Sequence, residues 1–177
     1  MTSKEELRSQ ARVHRRTLPD IAAALAAQVE KLDARPGQVI GGYHAHNNEA
    51  DPRLLLTRLV EMGCPVAFPR VAAKDALEFH RLPDGEVLQP GAFGIAEPLA
   101  HWPRVTPDLL LVPLLAFDAK GTRLGQGGGF YDRTLERLKV PAIGIAYAVQ
   151  EMDFIPRDPH DRTLDAILTE HGLRRFS

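Results

Sequence analysis

Cysteine is nearly absent from this chain. Cys64 is the only one in 177 residues, so no internal disulfide can form, and the composition suits a reducing, cytoplasmic compartment. Cys64 precedes Pro65 at the start of a predicted strand and reads as a small buried apolar group rather than a nucleophile. Long apolar runs are missing as well. Nothing approaches the roughly eighteen residues that a membrane-spanning helix needs, and the charged amino end lacks the apolar segment of a secretory signal. Nor is there an excess of one charge. The formal net charge is −1, which leaves no global field to recruit nucleic acid or an anionic membrane. No internal repeat is present, and no large apolar stripe calls for self-association, so the expectation is a monomer.

What is present is an ordinary globular composition, 44% hydrophobic and 25% charged, long enough for one domain over residues 1–177 and too short for two. Ser3-Lys4-Glu5-Glu6 predicts a capping box at the start of a helix. Leu7, Ala11 and Leu18 form its narrow apolar stripe. Lys4, Arg8 and Arg12 share a ridge at i, i+4 and i+8, with Arg15 close by; spacing alone reads that ridge as a solvated face. A second helix is expected from Asp20 to Leu32, a strand over Gln38–Tyr43, and a helix opened by Asp51-Pro52 and stopped at Gly63. Val66–Phe68 and Leu77–Leu82 read as strands. The segment from Pro83 to Pro107 is rich in proline and glycine and lacks periodicity, and a loop of that length is expected to cover a site. Further strands are predicted at Leu109–Val112, Ala142–Tyr147 and Ala166–Thr169, with a helix over Phe130–Leu138 and a loop over Gln150–Thr163. Strands alternating with helices predict an α/β fold, a three-layer sandwich with a mostly parallel sheet covered by helices on both faces.

Between the buried strand at Leu109 and the helix at Phe130 lies PLLAFDAKGTRLGQGGGFYDRTL. Its glycines at 125, 127, 128 and 129 let backbone N–H groups approach an anion without Cβ interference. The following helix would aim its positive end at the same place. A basic, glycine-rich segment after a buried strand reads as a phosphate or nucleotide cradle. The dinucleotide fingerprint fails, because Phe130 stands where the third glycine belongs, and the P-loop fails, because no Lys-Ser or Lys-Thr follows the glycines. A surface turn whose glycines serve only geometry stays open at this level. Asp132 reads equally as a first-turn acid favoured by the helix dipole. His44 and His46 alternate at a strand end; lining of a ligand pocket by His44 is a stronger reading than a metal trio with Glu49.

Taken together, the K-x-x-x-R of the first helix, the glutamate of EADP, the FGIAEP segment, PLLAFDAKGTRLGQGGGFYDR and HDRTLDAILTE resemble the 5-formyltetrahydrofolate cyclo-ligase (5,10-methenyltetrahydrofolate synthetase) family. The likeness spans nearly the whole chain. It implies a reaction in which ATP phosphorylates the formyl oxygen of 5-formyltetrahydrofolate, N10 attacks the activated carbon, and phosphate leaves. The products are 5,10-methenyltetrahydrofolate, ADP and phosphate, and magnesium is required. The resemblance also implies roles for residues. Lys4, Arg8, Arg123, Gly125, Gln126, Gly127, Gly128, Gly129, Phe130, Tyr131 and Asp132 would meet ATP, with Arg123 and Asp132 catalytic. Asp132 and Asp161 would hold Mg2+. His44, Glu49, Phe93 and Tyr131 would bind the folate. Asp165 would either support the metal or cap the last strand.

Three departures stand out. Phe130 replaces a tyrosine that many members carry, Gly128 replaces a lysine carried by some, and Pro52 stands where threonine is common. The loop therefore leans on backbone donors and Arg123. Rival readings are a phosphosugar isomerase or coenzyme A transferase relative, or a non-catalytic nucleotide-binding module.

Overall fold

The computed structural model describes residues 3–72 and 76–177. Its strands are β1 (Ile40–Gly41), β2 (Val66–Val71), β3 (Leu77–Arg81), β4 (Gln89–Pro90), β5 (Ala96–Glu97), β6 (Arg104–Val105), β7 (Leu109–Pro113), β8 (Ala116–Asp118), β9 (Arg123–Leu124), β10 (Ala142–Ile145), β11 (Glu151–Met152), β12 (Ala166–Thr169) and β13 (Gly172–Arg175). The α-helices are α1 (Lys4–Arg15), α2 (Ala22–Ala26), α3 (Arg53–Glu61) and α4 (Phe130–Leu138).

Eight strands form the central sheet in the order β13-β12-β10-β7-β1-β2-β3-β6. The run from β12 to β2 is parallel, and β13, β3 and β6 pair antiparallel at its margins. Period-two alternation explains why the inner strands are apolar throughout. Leu109 and Leu111 enter one core with Ile143, Ile145, Ala166 and Leu168. Leu110 and Val112 enter the opposite core with Ala142 and Ile167. Strands buried on both faces need apolar residues at every position. Ile21, Leu25, Leu55 and Leu59 cover the first face, and Leu135 and Leu138 of α4 cover the second. The expected three-layer sandwich is therefore found, and no described helix is long and apolar enough to cross a membrane.

Several elements differ from the sequence reading. The second helix breaks after Ala26, and Val29–Leu32 continues as a 3-10 turn closed by Asp33 at φ 56°. The apolar face survives the break, because Ile21, Leu25, Val29 and Leu32 still enter one core. Gln28 sits at the junction, where its side-chain amide donates to the Thr169 carbonyl at 2.8 Å and ties the break to the sheet. The Pro83–Pro107 segment contains the β4–β5 hairpin and the edge strand β6. The last strand is followed by a further one, β13, which the sequence reading missed.

The largest correction concerns the glycine-rich segment. It does not run directly from strand to helix. β8 and β9 form a hairpin between them and join β11 in a three-stranded sheet. Leu7 and Ala11 of α1 pack on that small sheet through Leu115, Ala116, Leu124 and Ile155. The predicted capping box is present, with the Ser3 N–H donating to Glu6 at 2.7 Å and the Glu6 N–H to Ser3 Oγ at 3.2 Å.

Asp118 holds the hairpin turn. Its Oδ1 accepts from Lys120 N at 2.9 Å and Thr122 N at 3.0 Å, and its Oδ2 accepts from Ile155 N at 3.3 Å. Gly121 completes the turn at φ 76°, a conformation that favours glycine. Because the Asp118 carboxylate is buried, Asp118→Ala strands two or more N–H groups. It is expected to cost at least about 2 kcal/mol in chemical denaturation; a loss below about 0.5 kcal/mol would show that water replaces the carboxylate.

Candidate active site

Beyond the carboxyl ends of β1 and β7 the chain encloses a cavity of about 580 Å³, where open parallel sheets place their ligands. Its walls come from α1, the loop after β1, the β4–β5 hairpin, the glycine loop with the first turn of α4, and the loop before β12. All the residues that the resemblance assigns to ATP, folate or metal line it, Asp165 excepted. Lys4 and Arg8 come from α1, His44 and Glu49 from the β1 loop, and Phe93 from the hairpin. Arg123, Gly125–Gly129, Phe130, Tyr131 and Asp132 come from the central segment, and Asp161 from the last loop.

At one end of the cavity, positive charge and glycine backbone meet. Arg8 Nε donates to the Gly125 carbonyl at 3.0 Å, and Arg12 Nε reaches Gln126 Oε1 at 3.4 Å. Lys4 Nζ lies 2.5 Å from Asp161 Oδ2 and 2.6 Å from Asp158 Oδ2. The basic ridge is therefore not a solvated face. Docking of α1 on the small sheet turns it onto the glycine loop. Gly129 precedes α4 at φ 66° and Gly127 lies at φ 104°, where a Cβ would stand 3.4 Å from the Arg8 guanidinium. The glycines thus serve both turn geometry and close approach.

Arg123 is held by Asp132, Nη2 to Oδ1 at 2.7 Å, and by a hydrogen bond to the Arg162 carbonyl. The same Asp132 oxygen accepts from Arg162 N at 2.9 Å. This pair ties the Asp158–Asp161 loop to the first turn of α4. Asp161 shares its position with Asp158 and His160, whose ligand atoms all lie within 4.8 Å of one another. The resemblance paired Asp161 with Asp132; Asp132 lies in the same cavity but outside that cluster, and it is engaged by Arg123 and Arg162. Asp158 escaped the sequence reading, although its i, i+3 spacing to Asp161 was a signal. The carboxylates fit a hard divalent cation, since hard oxygen donors suit magnesium and two of them already converge on the Lys4 ammonium. Burial pushes the Asp161 pKa up, but hydrogen bonds from Lys4 and the Asp158 N–H outweigh it and hold the group below the usual carboxylate range. Burial likewise works against the Lys4 charge, and its two carboxylate partners raise its pKa despite this. Asp165 lies elsewhere. Its Oδ2 accepts from Ala142 N at 2.7 Å, which makes it a strand brace and not a metal support.

The other end of the cavity is aromatic and acidic. Burial pushes the Glu49 carboxyl above its usual pKa, against the opposing pull of the His46 N–H, which donates to Oε2 at 3.0 Å, and of the Arg15 charge. The Tyr131 hydroxyl is buried without a partner among the described residues, and burial, followed by the Glu49 charge, drives its pKa far up. Phe93 is 75% exposed at φ 57°, with its ring 6.3 Å from that of Phe130. In place of a hydroxyl, Phe130 offers a face on which Arg133 stacks at 5.0 Å. Glu97, buried beside the cavity and accepting from Val71 N at 3.3 Å, was also missed.

The fold and cavity define an α/β enzyme whose polar site is assembled from five separate segments. Residues 1–170 match the model of the 5-formyltetrahydrofolate cyclo-ligase family. The chain is 35% identical to the 5-formyltetrahydrofolate cyclo-ligase of Mycolicibacterium smegmatis over 184 residues, covering 94% of this chain and 93% of the relative. Among solved structures it is similar to the 5,10-methenyltetrahydrofolate synthetase of Aquifex aeolicus, with a TM-score of 0.79, 32% identity, and coverage of 97% of this chain and 92% of the other. The Mycoplasma pneumoniae synthetase gives a TM-score of 0.76 at 26% identity, with coverage of 96% and 99%. This chain belongs to the 5-formyltetrahydrofolate cyclo-ligase family.

The raised pKa of Glu49 has a consequence for stability. A raised pKa in the fold means that folding favours the protonated form. That contribution is fully present below the unfolded pKa and is lost as pH rises through the folded one. Ionised Glu49 therefore costs stability at neutral pH. Glu49→Gln is expected to melt at a higher temperature than the parent at pH 7, with the gap closing toward pH 4. A variant no more stable than the parent at pH 7 would contradict the burial that the structure assigns to this carboxylate.

Proposed function

We propose that this chain uses ATP and Mg2+ to cyclise 5-formyltetrahydrofolate to 5,10-methenyltetrahydrofolate, releasing ADP and phosphate. The observation that carries the reading is one continuous cavity with a cationic glycine loop at one end and a half-buried carboxylate among aromatic rings at the other. Such a reaction needs two chemically different ligands side by side, and the two ends of the cavity differ in the required way.

A formamide carbon is a poor electrophile, and its oxygen is a poor leaving group. Phosphorylation converts that oxygen into a phosphate ester, which N10 of the same molecule can displace as the new C–N bond closes the ring. Little covalent work falls to the protein, so catalysis is positioning and charge stabilisation. Lys4, Arg8 and the N–H groups of Gly125–Gly129 bind the nucleotide phosphates, with Gln126, Phe130 and Tyr131 completing that wall. Arg123 spreads charge in the phosphoryl transition state, its guanidinium fixed in plane by Asp132. Glu49, ionised, accepts from the N–H donors of the pterin, while His44, Phe93 and Tyr131 supply the remaining contacts. Aromatic contact with the flat ring contributes about 0.5–1.5 kcal/mol beyond area burial. Magnesium, held by Asp161 and Asp132 with Asp158 beside them, would neutralise phosphate charge when bound.

Mixing the purified protein with 5-formyltetrahydrofolate, ATP and magnesium is expected to produce the near-ultraviolet band of the conjugated methenyl product. Omission of either ATP or magnesium should abolish it. No band under full conditions, with nucleotide binding still seen by calorimetry, would leave a nucleotide-binding relative instead of a cyclo-ligase. Arg123→Ala is expected to lower kcat by about a hundredfold or more, with a smaller change in the KM for ATP. An effect confined to KM would reduce Arg123 to uniform binding.

A further inference from the structure

Arg15, the last residue of α1, is 2% exposed, which is rare for a guanidinium without a carboxylate partner. Among the described residues no carboxylate oxygen lies within 4.0 Å of it, and its Nε has no hydrogen-bond partner. Burying a charge without a paired carboxylate is costly, and hydrogen bonds offset that cost only in part. What the guanidinium does hold are two backbone carbonyls. Nη2 donates to Asn47 O at 2.6 Å and Nη1 to Leu114 O at 3.2 Å. Asn47 and Leu114 both line the cavity, whereas Arg15 stands behind its wall.

The loop held through Asn47 is the one that carries Glu49. It is tightly wound. Asn47 and Asn48 both take left-handed conformations, φ 49° and 60°, a region that Asn tolerates better than most residues, and contacts around the loop fix them there. Three contacts do so: the Tyr43 hydroxyl bonds the Ala50 carbonyl, the His46 N–H bonds the Glu49 carboxylate, and Arg15 takes the carbonyl at the apex. Leu114, the other anchor, follows β7 where the chain turns toward the hairpin and the glycine loop. One side chain thus joins the segment leading to the phosphate end with the loop that presents the buried acid.

We propose that Arg15 is a positioning residue for the folate end of the site, fixing the 44–50 loop so that the Glu49 carboxylate meets the pterin ring. This inference rests on the reading of Glu49 as the pterin's acceptor. Arg15 touches neither substrate; it acts through Asn47 and through its charge beside Glu49. Binding of 5-formyltetrahydrofolate should therefore depend on Arg15 far more than binding of ATP does.

Calorimetric titration of the parent, Arg15→Met, Arg15→Lys, Glu49→Gln and the Arg15→Lys/Glu49→Gln double variant tests this, with 5-formyltetrahydrofolate and with Mg-ATP as separate ligands. Thermal melts establish which variants are folded, and if Arg15→Met does not fold, Arg15→Lys carries the test. Arg15→Met is expected to weaken folate binding about ten- to a hundredfold, the size of a lost hydrogen bond to a charged group, and to change ATP binding by no more than about twofold. Arg15→Lys, which keeps the charge without the fork, should lose less. In the double variant the folate loss should be smaller than the product of the two single losses, because both act through one carboxylate. Equal weakening of both ligands, or fully additive losses with Glu49→Gln, would overturn the proposal and make Arg15 a structural strut. A parent that does not bind 5-formyltetrahydrofolate at all would instead overturn the proposed function, and the role of Arg15 with it.

Discussion

Lys4, Arg8 and Arg12 reach across 157, 117 and 114 residues of sequence to Asp161, the Gly125 carbonyl and Gln126. The cavity depends on this set of charge-assisted contacts. α1 is no part of the layers that cover the central sheet; it rests on the small β11-β8-β9 sheet through Leu7 and Ala11. That apolar stripe is narrow, so the orientation of the helix is set by what its basic ridge can reach. The partners are a glycine-loop carbonyl, a glutamine and an acidic pair, all of which would otherwise face solvent or one another. Remove the ridge and the glycine-loop end of the cavity loses both a wall and most of its positive charge.

The two ends of the site solve opposite electrostatic problems. At the glycine loop, cations are held by backbone carbonyls and carboxylates. At the Glu49 end, a carboxylate is kept in a buried place where burial raises its pKa, and only His46 N–H and the Arg15 charge work the other way. Strain and desolvation of this kind persist at functional sites because the fold stabilises them from elsewhere. The left-handed Asn47 and Phe93 and the unpartnered Tyr131 hydroxyl all lie on this cavity, and the left-handed Asn48 follows Asn47 in its loop. Their meeting here is consistent with a site built for ligands.

Much of this was legible beforehand. Leu109–Pro113, α4 and β12 announced themselves through uninterrupted apolar runs and a strong amphipathic repeat, and the glycine loop through its composition. The residues that line the cavity were reachable because the family motif names them one by one. What stayed hidden has a physical explanation. The β8–β9 hairpin turns on Asp118 accepting three N–H groups, a local side-chain solution that no periodicity reports. β13 has only Leu173 and Phe176 as apolar residues near it, because an antiparallel edge strand leaves much of its surface in water. The basic ridge of α1 looked solvated because its partners lie more than a hundred residues away. The role of Arg15 was missed for the same reason, since it takes its meaning from a loop that only the fold brings near.

The central claim is that the cavity transfers a phosphoryl group from ATP to the formyl oxygen held at its other end. Substrate labelled with oxygen-18 at the formyl group tests this directly, with mass analysis of the inorganic phosphate released in one turnover. The proposed reaction predicts one labelled oxygen in that phosphate, carried over when N10 displaces it. Unlabelled phosphate, with the label in water, would show that ATP is hydrolysed apart from the folate and would contradict the shared cavity as the seat of the chemistry.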